Sequence, residues 1–241
     1  MTKACDGDRT FVVIGLGGVG SYVLRALVPF LHSRETPSTV LAIDGDQFEE
    51  ANRGRMLFSR LGPKAVVLCG ELSEVYGDRV TLLPVPRYIT SRNASRFIGE
   101  RSVVFCQPDN HATRRLVERR CARLREVALF SGGNDGIEDG KTGTYGNVQV
   151  YLRKDGSDLT NPISRFHPEI ATPRDKLPGS QGCTAAAASA PQLLFTNATV
   201  AASMLGAFYA WRCGCLEYEE VYLDILTGRM VPVKRELAPT A

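Results

Sequence analysis

Residues 11–23 read "FVVIGLGGVGSYV", an apolar run that breaks into glycines and then resumes as apolar residues. A short β-branched and aromatic stretch of this kind suits a buried parallel strand. Gly15, Gly17 and Gly20 satisfy G-x-G-x-x-G, and Gly18 adds a fourth glycine to the same turn. Between a strand and a helix, such glycines permit a tight turn and let backbone approach a phosphate. The helix N-terminus then offers its free N–H groups to an anion. The pattern alone does not separate NAD, FAD, S-adenosylmethionine and ATP from one another, or from tight packing with no ligand at all.

Working outward, Val19, Val23, Leu27, Phe30 and Leu31 recur at helical spacing, and residues 40–44 (VLAID) read as a second buried strand. A proline-started helix over 63–76 follows, then a strand at 80–85, a helix near 91–99 and a strand at 102–106. An Arg-rich helix over 110–125 and a strand at 127–131 continue the alternation. This order predicts an α/β, Rossmann-like fold, with a mostly parallel sheet and helices on both faces. After residue 131 the pattern changes. An alternating strand gives way to a long polar stretch, about 153–182, which reads as a structureless, mobile crossover loop. A helix over 185–211 and strands at 220–226 and 229–233 close the chain as an antiparallel extension of the sheet. With no internal repeat, 1–241 reads as one domain: a nucleotide-binding part (about 11–131), the crossover loop, and C-terminal elements over about 183–235.

Composition narrows the function classes. A chain of 241 residues that is 44% hydrophobic can bury a full core. The formal net charge of +3 leaves no electrostatic footprint for nucleic acid. The one dense basic cluster, Arg114, Arg115, Arg119, Arg120, Arg123 and Arg125, reads as a solvated helix face. Residues 185–211 carry no charge, but Pro191, Gln192 and Asn197 interrupt an alanine-rich run. A buried helix, and no membrane span, is expected. Seven cysteines, an odd number, and a polar start without an apolar leader point to a reduced, cytoplasmic protein. Without a C-x-x-C pair, no structural zinc is expected.

The residues after the second strand carry more information than the glycines. Asp44 ends that strand 24 residues past Gly20, where a carboxylate accepts hydrogen bonds from ribose hydroxyls. "DGDQFEEANRGR" (44–55) and "GPK" (62–64) add Asp46, Asn52, Arg55 and Lys64. A hydride-transfer enzyme needs no such set beside its adenosine half. An enzyme acting on a triphosphate does, because fixed Arg and Lys stabilise the charge that builds on phosphoryl oxygens in the transition state. "PDNHATR" (108–114) runs from a strand into Asp109, placed to hold Mg²⁺ against phosphates or to cap the next helix.

Together, "GLGGVGS", "DGDQFEEANRGR", "GPK" and "PDNHATR" resemble the ThiF/MoeB/HesA family, relatives of the ubiquitin-activating enzymes. The resemblance resumes at "GCTAAAASAPQLLFTNATVAASMLGAFYA" (182–210). It implies binding of ATP and Mg²⁺, and adenylation of the C-terminal carboxylate of a small ubiquitin-like protein whose tail ends in glycine. It places Asp44 on ribose, and Gly15, Gly17, Gly18, Gly20, Asp46, Asn52 and Asn110 on the nucleotide. Arg55 and Lys64 would serve the phosphates and transition state, Asp109 would hold Mg²⁺, and Cys183 would take the activated carboxylate as a thioester. A homodimer is implied too, with Arg9 the only local candidate for an arginine reaching a partner's phosphates. Ala51 and Met56 stand where the family pattern has Ser and Gln, and the family's paired zinc cysteines are absent. The same motifs allow adenylation of a tRNA base or a peptide, a nucleotide-holding module without turnover, or an NAD-dependent oxidoreductase.

Overall fold

The computed structural model describes residues 9–34, 36–138, 140–179 and 192–235. The chain opens with β1 (Thr10–Ile14), α1 (Gly18–His32) and β2 (Ser38–Ile43). A small hairpin, β3 (Gln47–Phe48) with β4 (Gly62–Pro63), leads into α2 (Lys64–Tyr76) and β5 (Val80–Val85). Then come α3 (Ala94–Phe97), β6 (Val103–Cys106), α4 (His111–Cys121) and β7 (Val127–Asn134). A second small hairpin, β8 (Ile137–Glu138) with β9 (Lys141–Thr142), precedes β10 (Tyr145–Lys154), β11 (Ser157–Asp158) and α5 (Pro168–Ala171). The last elements are α6 (Leu194–Arg212), β12 (Tyr218–Asp224) and β13 (Arg229–Lys234).

The main sheet runs β13-β12-β10-β7-β6-β1-β2-β5. From β5 to β7 every neighbouring pair is parallel, and β10, β12 and β13 are added antiparallel. Strand alternation divides the core into two layers. Phe11, Val13, Val40, Ala42, Phe105 and Phe130 face one way, against α1, α2 and α6. Val12, Ile14, Ile43, Val104 and Leu129 face the other, against α4, with Ile98, Ile163 and Ile170. The expected α/β fold is therefore present, with helices on both faces and an antiparallel C-terminal extension. The helical side with α6 is aromatic: Phe208 packs edge-on against Phe11, Phe30, Phe105 and Phe130.

Three sequence expectations need correction. The crossover stretch is not structureless. Asp155 and Gly156, both at positive φ (54° and 86°), turn the chain so that β11 pairs back on β10. The D-G dipeptide is the usual signal for such a turn, and Asp tolerates the left-handed region better than most residues. Beyond it, α5 and the buried Thr160, Ile163, His167 and Ile170 anchor the segment to the domain. The C-terminal helix is not continuous from 185 to 211: its described part begins at Leu194, after Leu193, which is extended (φ −75°, ψ 128°), and residues 185–191 lie outside the described residues. Finally, the arginine cluster is not a uniformly solvated face: Arg119, Arg123 and Arg125 are exposed, whereas Arg114 is buried. Among the described residues, no helix is long and apolar enough to cross a membrane.

Candidate active site

Parallel strands end on one edge, and that edge collects the predicted residues. β1 runs into the glycine turn, β2 into Asp44, β5 toward Tyr88, β6 into Gln107–Asp109. Such a carboxyl edge is where open α/β sheets bind ligands. Gly15 adopts φ +84° and donates its N–H to Ile43 O at 2.9 Å, which holds the turn against β2. A Cβ on Gly20 would lie 1.8 Å from Gly15 O, so only glycine lets the helix start this close to its own strand. A Cβ on Gly18 would fall 2.2 Å from the Asn197 side-chain nitrogen, which makes room for α6 the reason for that glycine. A Cβ on Gly17 would meet only Met56 Cε, at 3.8 Å. No side chain caps α1. Its first-turn N–H groups are thus left for an anion.

Asp44 is buried and accepts from two backbone amides, Leu16 N (2.5 Å) and Asp46 N (2.7 Å). Burial, and then the Asp46 charge, raises its pKa against the pull of Lys64 and the two amides. Lys64 opens α2. Its N–H reaches Asp46 O (3.0 Å), and its ammonium lies 3.1 Å from Asp46 Oδ2. Tyr88 hydrogen-bonds the same Asp46 carboxylate and lays its ring over Gly45, where a Cβ would come within 2.7 Å. Burial first, then Asp46, Asp44 and Asp109, pushes the Tyr88 hydroxyl pKa up, so the tyrosine stands protonated among three carboxylates.

The remaining predicted residues are spread more widely. Asp109 is exposed just beyond Pro108, whose backbone nitrogen would touch a Cβ on Gly15 at 3.0 Å. It does not cap α4: Asn110 does, accepting from Thr113 N at 2.8 Å, so the Asp109 carboxylate is spared that role. From the crossover segment, Asp175 accepts from His111 N (2.6 Å) and Ala112 N (2.8 Å) and seals the rest of that helix start. Asn52 and Arg55 sit half-buried in the loop between β3 and β4. The Asn52 side chain is spent on Glu49 N, and Met56, next to Arg55, reaches toward Gly17. Arg9 precedes β1 and so lies at the opposite, amino edge, where it pairs with Glu126 at 2.5 Å and covers Trp211. Within its own chain Arg9 is thus engaged with Glu126 and Trp211. Cys183 lies outside the described residues.

Four residues at this edge escape sequence reasoning. Gln107 and Asn197 are buried beside Gly20 and Gly18, and neither side-chain amide has a hydrogen-bond partner. Tyr88 follows a strand with no motif around it. Arg114 belongs to "PDNHATR", yet its burial is set by tertiary contacts: it donates to Pro108 O, Ser131 Oγ and Gly132 O at 3.1, 3.0 and 2.9 Å. Among the described residues, no group of three or more His, Cys, Asp or Glu is gathered to hold a metal. The donor set fits Mg²⁺ bound mainly through phosphates, since that ion commonly takes one or two carboxylates and leaves the rest to substrate and water.

A glycine turn between strand and helix, the buried Asp44 and the Lys64–Asp46 pair on one carboxyl edge are the features of an α/β nucleotide-binding fold. The family model for the ThiF family matches residues 8–229, and the chain belongs to that family. Solved structures with the same fold include E. coli MccB bound to MccA-N7isoASN, at 13% identity and TM-score 0.67, covering 97% of this chain and 66% of that one. E. coli MccB with ATP matches at 14% identity and TM-score 0.67, with 97% and 65% covered. PaaA matches at 14% identity and TM-score 0.65, with 95% and 64% covered. The chain thus spans just under two thirds of the length of these neighbours. No curated protein matches it in sequence.

Proposed function

We propose that this protein uses ATP and Mg²⁺ to adenylate the C-terminal carboxylate of a polypeptide, releasing pyrophosphate. The observation that carries the reading is the convergence at one sheet edge, in a ThiF-family chain, of the uncapped α1 N-terminus, Asp44 and the Lys64–Asp46 pair. In the reaction a carboxylate oxygen bonds to the α-phosphorus as the bond to the β-phosphate oxygen breaks. Asp44 would accept from ribose hydroxyls, and the amides of Gly17 and Gly18 would bind phosphate oxygens. Lys64 and Arg55 would stabilise the charge moving onto the leaving pyrophosphate, where fixed cations act most strongly. Asp109 would share Mg²⁺ with the phosphates, which supplies further charge neutralisation. Tyr88 and Asp46 hold the Lys64 ammonium in place.

The first candidate substrate is a small ubiquitin-like protein with a glycine-ended tail, followed by thioester formation on Cys183, and the working unit is a homodimer in the cytoplasm. A short peptide is the second candidate, supported by the fold shared with MccB structures that contain MccA. The test is ATP–pyrophosphate exchange with each class of substrate. Exchange that depends on the added carboxylate and falls at least a hundredfold in Arg55→Ala supports the reading. Absence of exchange with saturating Mg·ATP and every polypeptide tried overturns it. A thiol-sensitive adduct on intact-mass measurement, lost in Cys183→Ser, tests the thioester.

A further inference from the structure

The free cysteines among the described residues fall into two groups. Cys69, Cys106 and Cys121 are buried, and burial pushes each thiol pKa upward, those of Cys69 and Cys106 to about 12. Such thiols are not ionised at neutral pH and are inert. Cys213 and Cys215 are both exposed, two residues apart, where α6 ends. Neither takes part in the nucleotide edge or in the aromatic core.

The helix end brings the two together. Cys213 caps α6 in helical conformation (φ −78°, ψ −4°), and Gly214 follows at φ +70°, a left-handed value that glycine adopts without strain. The turn closes as Gly214 N–H donates to Trp211 O (3.0 Å) and Cys215 N–H to Ala210 O (2.8 Å), the paired bonds of a Schellman end. A left-handed residue between them keeps the two cysteine Cα atoms about 5.5 Å apart, inside the separation that disulfides span. The Cys215 thiol already turns back on its neighbour, donating to Cys213 O at 3.4 Å. Beside them, Arg212 lays its guanidinium over the rings of Phe30 and Phe208. Burial lowers the Arg212 pKa, and negative charge on Cys213 acts in the other direction. The same attraction favours a Cys213 thiolate, against the partial negative charge of the helix end.

We propose that Cys213 and Cys215 form a dithiol–disulfide exchange site whose substrate is a small disulfide such as oxidised glutathione. The Cys213 thiolate attacks one sulfur of that disulfide. A bond forms to Cys213 Sγ, the old S–S bond breaks, and the departing thiolate takes up the proton that Cys213 gave up. Cys215 then loses its proton and attacks Cys213 Sγ, and the mixed disulfide breaks to release the second small thiol. The two cysteines are oxidised by two electrons, and the small disulfide is reduced to two thiols. So short a ring removes little entropy from the unfolded chain, and its exposure leaves it open to attack. The bond is therefore labile, and excess thiol reverses it. α6, 19 residues and roughly 28 Å long, starts beside Gly18 and sets the pair a helix length from the nucleotide edge. The exchange is thus independent of adenylation.

Equilibration of the full chain in glutathione buffers, followed by acid quenching, alkylation and tryptic mass mapping, tests the proposal. Trypsin cuts after Arg212 and Arg229 and has no site between them, so Cys213 and Cys215, and no other cysteine, share one peptide. That peptide is expected to lose two hydrogens in oxidising buffer and to regain them with dithiothreitol. Its oxidised fraction should follow oxidised glutathione over the square of reduced glutathione, rising from one tenth to nine tenths across about an eightyfold change in that ratio. Cys213→Ser and Cys215→Ser, both at exposed positions, should each hold glutathione on the remaining thiol, at least tenfold more than the wild-type peptide carries. Stable glutathione on both wild-type cysteines, a disulfide joining two chains through this peptide, or a peptide unchanged at every ratio overturns the site.

Discussion

The ammonium of Lys64, buried at the start of α2, lies 3.1 Å from the carboxylate of half-exposed Asp46. A buried lysine with one acidic partner is costly to keep, which fits a charge retained for its action on a ligand. Lys64→Met keeps the stem and removes the charge. It should leave the melting temperature near wild type and lower ATP–pyrophosphate exchange about a hundredfold or more, the usual scale for losing one fixed transition-state donor. Asp46→Ala should instead destabilise the fold, by about 1 kcal/mol once solvent screening of its exposed side is allowed for. Thermal melts and exchange assays of both variants check this, and a Lys64→Met enzyme with full exchange removes Lys64 from the mechanism.

Gly18 and Asn197 make a second testable pair. An alanine at 18 would put its Cβ 2.2 Å from the Asn197 side chain, so Gly18→Ala is expected to cost about 1–3 kcal/mol by overpacking. Asn197 is fully buried, and its amide has no partner to lose. Gly18→Ala combined with Asn197→Ala should therefore be more stable than Gly18→Ala alone. Urea melts of the double-mutant cycle measure the coupling, and simple additivity would mean that the two residues do not compete for space.

Much of this was legible beforehand, for reasons that are local. The strand–glycine turn–helix unit, the second strand ending in Asp44 and the alternation up to β7 depend on periodicity and turn chemistry carried within a few residues. The α4 cap shows the limit: Asp109 and Asn110 are both good cap residues, and only backbone geometry chooses Asn110. Arg114 and His167 sit in polar sequence and are nonetheless buried, because their partners (Ser131 and Gly132, Glu220) come from strands far along the chain. The anchoring of the crossover by α5 was hidden for the same reason. Residues that meet only through tertiary contacts leave no spacing to read.

His167 gives the fold a pH dependence. Burial works against its protonation, but hydrogen bonds and charges from Glu220 and Glu169 outweigh it and raise its pKa above the usual value. Stability from this group is complete below the unfolded pKa, about 6.5, and is lost as pH rises through the higher folded value. Glu169 is held below the ordinary carboxylate range: burial acts upward, but its own backbone amide and His167 bring it down. Its contribution is lost only as pH falls through that depressed value. Melting temperatures followed upward from about pH 6.5 should decline in the wild type. In His167→Gln that decline should flatten, and parallel curves for the two proteins would contradict this account.

Asp44 carries the complementary pH effect, on binding. Its burial, reinforced by the Asp46 charge, raises its pKa, with Lys64 and the amides of Asp46 and Leu16 acting in the opposite direction. A ribose hydroxyl donates to the ionised carboxylate, and protonation removes an acceptor from that site. Adenosine, which carries no titrating phosphate, should therefore bind more weakly as pH falls, starting above the ordinary aspartate value of about 3.9. Lys64→Met removes the largest influence holding the pKa down, so the fall should begin at higher pH in that variant. Asp44→Asn should bind adenosine weakly at every pH, with no slope, because its amide meets one of the two backbone donors with a donor of its own. Affinity that stays constant down to about pH 4 in the wild type, or the same midpoint with and without the Lys64 charge, would remove Asp44 from the ribose site.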